Sequence, residues 1–309
     1  MDSIPVIDME KVGLLRSEAE IDVTTLKDIS DEIKKAFTSV GFCYMKNHGI
    51  SKTLIESLFR ASRDFFESPT EEKQKYRRLQ DSYFGWMSPE SEILNPKRPN
   101  DLKESFNYLP SQDTNVWPSK RFQKINQDMY KQCSAFAFRL MDILSIGLGL
   151  EKAHFKECHQ DIGNPNNQTA LRSLYYLPIE TESEIKPGQI RCGEHTDYGT
   201  ITMLFQDDIG GLEVNINGVG YVPATPIPDT IVVNIGSLMQ RWTSDHLIAT
   251  AHRVLIPEAE LKLRQPRQSV AFFIQPNNET MITCLDGSDK YTPMTSRQYL
   301  DMRINETVY

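Results

Sequence analysis

Residues 192–205 read Cys192-Gly-Glu-His195-Thr-Asp197-Tyr-Gly199-Thr-Ile201-Thr-Met-Leu-Phe205. In an extended chain, side chains two apart share a face, so His195 and Asp197 point the same way. An imidazole nitrogen and a carboxylate oxygen can then reach one metal ion. The apolar run that follows, 201–205, reads as a strand able to hold both rigidly. A His-x-Asp pair is a weak signal alone. The chain carries a second one, His159-Gln-Asp161, which runs into Gly163-Asn-Pro165-Asn-Asn. That sequence reads as a polar loop, where an Asp is commonly a turn residue.

Working outward, the five cysteines are scattered and form no C-x-x-C pair, so a metal site draws on the six histidines and on carboxylates, and a third ligand is needed. His252, in Ala-Thr-Ala-His252-Arg-Val-Leu-Ile, opens a later strand. His246 follows Trp242-Thr-Ser-Asp245, a turn, and reads as a surface histidine. Two His and one carboxylate on one face of an octahedral metal leave three positions open. That arrangement suits a non-haem Fe(II) that must bind a cosubstrate and O₂. Zinc can take the same ligands, but the chain lacks H-E-x-x-H.

From Asn164 onward, short β-rich runs alternate with Asp-Gly, Asn-Gly, Gly-Gly and Pro-Asn turns. The runs are 170–177, 188–192, 200–205, 212–215, 220–224, 230–235, 252–256, 268–275 and 280–284. They imply a sandwich or barrel. The first half reads helical, with a helix starting at Thr24 or Thr25, a strand at 42–46, a helix capped by Ser51, and a helix start at Pro69-Thr70. Residues 79–118 read as a long, partly irregular connection. A helix from about Ser119 to Leu148 carries an apolar stripe that belongs to the core. The division is 1–160, a helical region with the first strands, packed on a β core, 161–309. No flexible linker separates them, so the two form one compact unit. Residues 291–309 read as a closing helix over the pocket mouth.

The chain has 309 residues, 34 Lys+Arg against 42 Asp+Glu, and a net charge of −8. That acidic balance argues against nucleic-acid and anionic-membrane binding. No apolar run spans a bilayer and the start lacks signal-peptide features. Cytoplasmic location is the expectation, with free, mostly buried thiols. A monomer or weak homo-oligomer is expected.

Arg267-Gln-Ser269 places a guanidinium and a hydroxyl on one strand face, where they can hold a carboxylate. Tyr176, in Leu171-Arg-Ser-Leu-Tyr-Tyr176-Leu-Pro178, adds a phenol donor, and Tyr175 points to the opposite side. Each of these alone is commonplace on a strand.

Together these segments resemble the 2-oxoglutarate- and Fe(II)-dependent oxygenase superfamily, in its isopenicillin N synthase-like branch. The resemblance runs through Ile4-Pro-Val-Ile-Asp8, Gly41-Phe-Cys-Tyr-Met-Lys-Asn-His48-Gly49-Ile50 and Phe65-Phe66 with Pro69-Thr-Glu-Glu-Lys73. It continues through Lys103-Glu104-Ser-Phe106, His195-Thr-Asp197-Tyr-Gly199, Val233-Asn-Ile-Gly236, His252-Arg253-Val254 and Arg267-x-Ser269. Two positions depart from the pattern: Leu174 stands where the family strand has Asn, and Ser237 where it commonly has Asp.

The resemblance implies a double-stranded β-helix, or jelly roll, with flanking helices. It assigns His195, Asp197 and His252 to iron, and Arg267 and Ser269 to the distal carboxylate of 2-oxoglutarate, with Tyr176 aligned beside them. His48 falls in a structural turn. The implied reaction is O₂-dependent oxidation, by default hydroxylation, of a small molecule, with release of succinate and CO₂ and with ascorbate as reductant. The alternatives are an oxidase that uses O₂ without 2-oxoglutarate, in which Arg267 and Ser269 hold the substrate's carboxylate, and a non-catalytic binding member of the fold. From position near the motifs, Phe84, Tyr175, Phe205, Met239 and Phe273 are candidates for the substrate wall, and their aromatic bias suggests a mostly apolar molecule.

Overall fold

The computed structural model describes residues 3–80, 82–91, 99, 101–113, 116–178, 189–256 and 265–306. Residue 188 of one expected strand, Arg264, and residues 307–309 of the expected closing segment lie outside the described residues. The first half contains β1 (Val6–Asp8), α1 (Val23–Ser39), β2 (Phe42–Lys46), α2 (Lys52–Phe66), α3 (Thr70–Gln74), β3 (Gly85–Met87), β4 (Glu104–Tyr108), α4 (Lys120–Gly147) and α5 (His154–Cys158). The second half contains β5 (Ala170–Tyr176), β6 (Cys192–His195), β7 (Ile201–Gln206), β8 (Leu212–Ile216), β9 (Gly220–Pro223) and β10 (Thr230–Ile235). It ends with α6 (Ser237–Trp242), β11 (His252–Val254), β12 (Arg267–Ile274), β13 (Met281–Ile282), β14 (Met294–Thr295) and α7 (Ser296–Asn305).

Local chemistry accounts for the helix starts. The Ser51 and Ser119 side chains accept from Leu54 N and Phe122 N, capping α2 and α4. For α1 the cap is Asp22, whose carboxylate accepts from Thr25 N at 2.9 Å. The helix therefore begins ahead of the two threonines expected to start it, because a carboxylate satisfies the first-turn donors. Thr295 and Gln298 form a reciprocal capping box at α7. Among the described residues, no helix is long and apolar enough to cross a membrane.

The fold is mainly β, a jelly roll with flanking helices. An eight-stranded sheet runs β1-β2-β10-β7-β12-β5-β4-β3, and a four-stranded sheet runs β6-β11-β8-β9. The large sheet is buried on both faces. Cys43, Met45, Met203, Phe205, Ile231, Val233, Val270 and Phe272 pack with Phe37, Phe65, Phe136 and Leu140 of α1, α2 and α4. The alternate residues Phe42, Tyr44, Leu174, Val232 and Ala271 pack with Leu212, Val214 and Val254 of the small sheet. Two cores thus share one layer of strands, which is why these strands read as nearly continuous apolar runs.

The stretch 79–118 is less irregular than its composition suggests. It contributes β3 and β4, which extend the large sheet beyond β5. All five β4 residues, Glu104-Ser-Phe-Asn-Tyr108, are buried. Glu104 is tolerated there because Lys73 Nζ reaches both its carboxylate oxygens, at 2.9 and 2.8 Å, and Trp86 Nε1 donates to it at 2.6 Å. Buried polar groups satisfied this way hide a strand from hydrophobic patterning.

Candidate active site

The two sheets enclose a cavity of about 180 Å³, and His195, Asp197 and His252 meet on its wall. His195 ends β6 and His252 opens β11, and the two are partners in the antiparallel ladder. Asp197 lies two residues past the end of β6, in the bend leading to β7. Its carboxylate reaches the histidines from that bend, which the next elements hold in place. Its main-chain carbonyl accepts from Ser237 N at 2.7 Å and Ser237 Oγ at 2.9 Å. Gly236 makes this approach feasible: a Cβ there would stand 2.2 Å from Gly199 O.

Each imidazole has its Nδ1 against a backbone carbonyl, His195 on Gly193 O at 2.8 Å and His252 on Thr250 O at 3.1 Å. A carbonyl only accepts, so each Nδ1 carries a proton and each Nε2 can offer a lone pair to a metal. The Nε2 atoms lie 3.6 and 3.7 Å from Asp197 Oδ1, too long for hydrogen bonds. One atom from each of the three residues lies within 4.8 Å of the others, so a single cation fits among them. Asp197 Oδ2 is held by Asn234 Nδ2 at 2.7 Å. Burial disfavours charge on His195, but the Cys192 sulfur and Asp197 carboxylate outweigh it and hold its imidazole well above the ordinary value. Burial, then His195, push His252 down to about 4. Asp197 is desolvated too, yet both imidazoles and Asn234 hold its carboxyl well below the usual range.

Arg267 and Ser269 both lie on β12 and line the same cavity. Arg267 is 1% exposed. Its Nε donates to Gly210 O at 2.5 Å and its Nη1 to Ser269 Oγ at 3.4 Å, while Nη2 has no hydrogen-bond partner among the described residues. Tyr176 is the cross-strand partner of Arg267, and the guanidinium sits 4.7 Å from its ring centre. Burial pushes the Tyr176 phenol up, so it stays protonated. A buried guanidinium with an unsatisfied donor, beside a hydroxyl and a phenol, fits a carboxylate.

Of the five wall candidates, Phe273 lines the cavity and the other four do not. Tyr175 faces the helices, stacked on Phe66 at 5.3 Å with its hydroxyl on Glu67. Phe205 and Met239 lie in the helix-side core. Phe84 packs among Phe106, Tyr108 and Trp117. The reason is alternation: on β5 and β7 the neighbours Tyr176 and Leu204 take the cavity face. The wall is also more polar than expected, since Asn107, Gln168, Arg172 and Gln275 line it. Asn234 was visible only within the Val233-Asn-Ile-Gly236 element; a buried carboxylate's need for a donor is the signal that points to it.

Two of the remaining histidines have structural roles. His159, the decoy, is fully buried, with Nδ1 on Phe155 O at 2.6 Å and Nε2 against Thr200 Oγ1 at 3.0 Å. His48 accepts from Ile50 N in its turn. His246 is exposed. All five cysteines are free.

Comparison with known proteins agrees with this geometry. Residues 4–127 match the N-terminal region described as non-haem dioxygenase in morphine synthesis, and residues 167–276 match the 2OG-Fe(II) oxygenase superfamily. The proline hydroxylase buaE of Petromyces alliaceus is 32% identical, over 88% of this chain and 91% of its own. A full-length Neurospora crassa protein, crystallised in complex with alpha-KG and thymine, superposes with a TM-score of 0.83 at 31% identity. The match covers 98% of this chain and 96% of that one. JOX2, crystallised with 2OG, Fe and JA, has a TM-score of 0.78 at 27% identity, covering 97% of this chain and 84% of its own. With its fold, its two matched regions and its His-Asp-His cluster in agreement, the chain belongs to the 2OG-Fe(II) oxygenase superfamily and is an Fe(II)- and 2-oxoglutarate-dependent dioxygenase that oxidises a small molecule.

Proposed function

We propose that His195, Asp197 and His252 hold the Fe(II), that Arg267, Ser269 and Tyr176 hold the distal carboxylate of 2-oxoglutarate, and that the reaction is hydroxylation. Substrate, O₂ and 2-oxoglutarate then give an alcohol, succinate and CO₂. The observation that carries this reading is the arrangement of one cavity. Two imidazoles with carbonyl-anchored Nδ1 atoms and a carboxylate converge at one place on its wall, and a buried guanidinium whose Nη2 has no partner among the described residues lies at another.

Bound iron would supply the redox chemistry with O₂. The chain's own residues do the rest. Gly193 O and Thr250 O fix the two imidazole planes, and Asn234 fixes the carboxylate. Arg267 neutralises the cosubstrate's charge in a site that water cannot serve. Leu204, Leu212 and Val254 keep the space around the cosubstrate dry, and Leu300 and Ile304 of α7 line the cavity from the C-terminal helix. The small molecules in the Neurospora crassa and JOX2 complexes support a substrate of similar size. Five free thiols fit the cytoplasm.

The test is Fe(II)-dependent conversion of 2-oxoglutarate to succinate by the purified protein, with ascorbate as reductant. His195→Ala is expected to bring it to background while leaving the melting temperature within a few degrees of the parent. Succinate formation that survived the substitution would remove His195 from the metal site.

A further inference from the structure

The β5–β12 ladder ends at the pair Ala170–Phe273, and beyond it an isolated bridge joins Asn167 to Asn277. Gln168 and Gln275 lie between the two, on facing strand ends, and both line the cavity. Side chains alternate along a strand, so Gln275 shares the face of Phe273, two residues away. Arg267 lies six residues from Phe273 in the other direction. Phe273 pairs with Thr202, Thr202 pairs with Asn234, and Asn234 holds the Asp197 carboxylate. In strand register Asp197 therefore stands nearer the glutamine end of the cavity than the Arg267 end. A five-carbon dicarboxylate seated at Arg267 and reaching toward Asp197 leaves the glutamine end open.

The polar groups around these two side chains are paired with one another. Asn167 Nδ2 donates to Gln275 O at 2.8 Å, Gln275 N donates to Thr169 Oγ1 at 3.0 Å, and Thr169 N donates to Asn167 Oδ1 at 2.8 Å. Gln168 and Gln275 are 9% and 5% exposed, yet the Oε1 atom of each has no hydrogen-bond partner among the described residues. Buried amide oxygens of this kind are costly unless a ligand donor reaches them. Gln275 is also closely seated: a Cβ on Gly199 would stand 2.8 Å from its Nε2. Among the described residues that line the cavity, Asp197 carries the one carboxylate. An ammonium group at the glutamine end would be buried with no counter-charge of its own, so a neutral donor fits better there.

A carboxamide side chain offers an acceptor oxygen and an NH₂ donor. Its complement is another amide, with N–H to meet Oε1 and a carbonyl to meet Nε2. We propose that the substrate is a small neutral molecule carrying an amide N–H and carbonyl, bound by Gln168 and Gln275, and that these two glutamines are the specificity-determining residues of the site. Phe273 packs on the apolar part of the same molecule. This rests on the reading that Arg267 holds 2-oxoglutarate, which leaves the glutamine end to the substrate.

The probes are benzamide and phenylacetamide, each compared with the methyl ketone of the same shape, acetophenone and phenylacetone. They are titrated calorimetrically into the full chain loaded with Mn(II) and 2-oxoglutarate. Each ketone keeps the carbonyl and replaces NH₂ by CH₃, so it leaves the glutamine oxygens without a donor. The amides are expected to bind about fivefold or more tightly than the ketones. Gln168→Met and Gln275→Met, which keep the side-chain length and remove the amide, are each expected to shrink the preference, and the double variant to erase it. Because each removes an unpartnered buried group, the melting temperature without ligand should be unchanged or higher. Equal binding of amides and ketones by the parent protein, a preference that survives in the double variant, or no binding of either amide at millimolar concentration overturns the proposal. So does a loss of several degrees of melting temperature in both single variants, which would make the glutamines supports of the fold. The 2-oxoglutarate titration into the Mn(II)-loaded protein is read separately. If it shows no binding, the cosubstrate assignment fails; if it binds normally and the amides show no preference, only the substrate inference fails.

Discussion

Along β5 and β12, neighbouring residues belong to different parts of the molecule. Leu171, Tyr175, Val270 and Phe272 face the helices, where they meet Tyr130, Phe66 and the α4 stripe. Arg172, Tyr176, Arg267 and Ser269 face the cavity. The helix side is apolar and closely packed, and the cavity side keeps an arginine at each of two separated pairs and, on Arg267, a guanidinium nitrogen with no partner among the described residues. The difference teaches that stability and chemistry are divided by the pleat of a single sheet. The well-packed face holds the strands in register so that the other face can carry groups that contribute little to folding.

Substitutions on the two faces should therefore separate. Phe272→Ala, on the helix side, is expected to destabilise by about 3–5 kcal/mol. The measurement is urea denaturation, with the activity per folded molecule unchanged. A fall in specific activity with stability intact would break the division. Asn234→Ala, on the cavity side, removes the donor to Asp197 Oδ2. It is expected to weaken metal binding by about 10–100-fold. A Mn(II) titration monitored by electron paramagnetic resonance would read this, and an unchanged affinity would assign Asn234 to packing.

The smallest effect is on pH. Before metal binds, His195 is held well above its ordinary value, so a cation must displace its proton. Metal affinity is then expected to rise with pH, by at most about tenfold per unit for one proton, and to flatten above that raised value. His252, pushed down to about 4, adds a second proton only when the pH falls that far. Affinity that stayed flat between about pH 6 and 8, the range around an ordinary imidazole and above it, would contradict the raised His195 titration.

The site and the sheet were unequally legible in the sequence. His195, Asp197 and His252 stand out because metal ligation needs particular atoms at particular spacings. Arg267 and Ser269 stand out because they alternate on a strand. The wall residues did not, because a strand buried on both faces has no polar side to set the phase. Tyr175 and Phe205 are as apolar as a cavity wall needs to be, and nothing local says that they face the helices. Glu104 and Asn107 concealed β4, since their partners lie on other elements, Lys73 on α3 and Arg172 on β5.

The strand order has a consequence for how the chain comes to be folded. β1 and β3, both from the first 87 residues, are the two edges of the large sheet, and β5, β7, β10 and β12, from residues 170–274, fill its middle. During synthesis the outer pairs β1–β2 and β3–β4 leave the ribosome long before β10 and β5, the middle strands that β2 and β4 must pair with. Helices α2 and α4 wait with part of their apolar sides uncovered until β12 arrives. Long-range pairing of this kind makes folding slow and exposes the nascent chain to aggregation. Chaperone supply during expression should therefore set the yield of this protein more than the stability of its finished form.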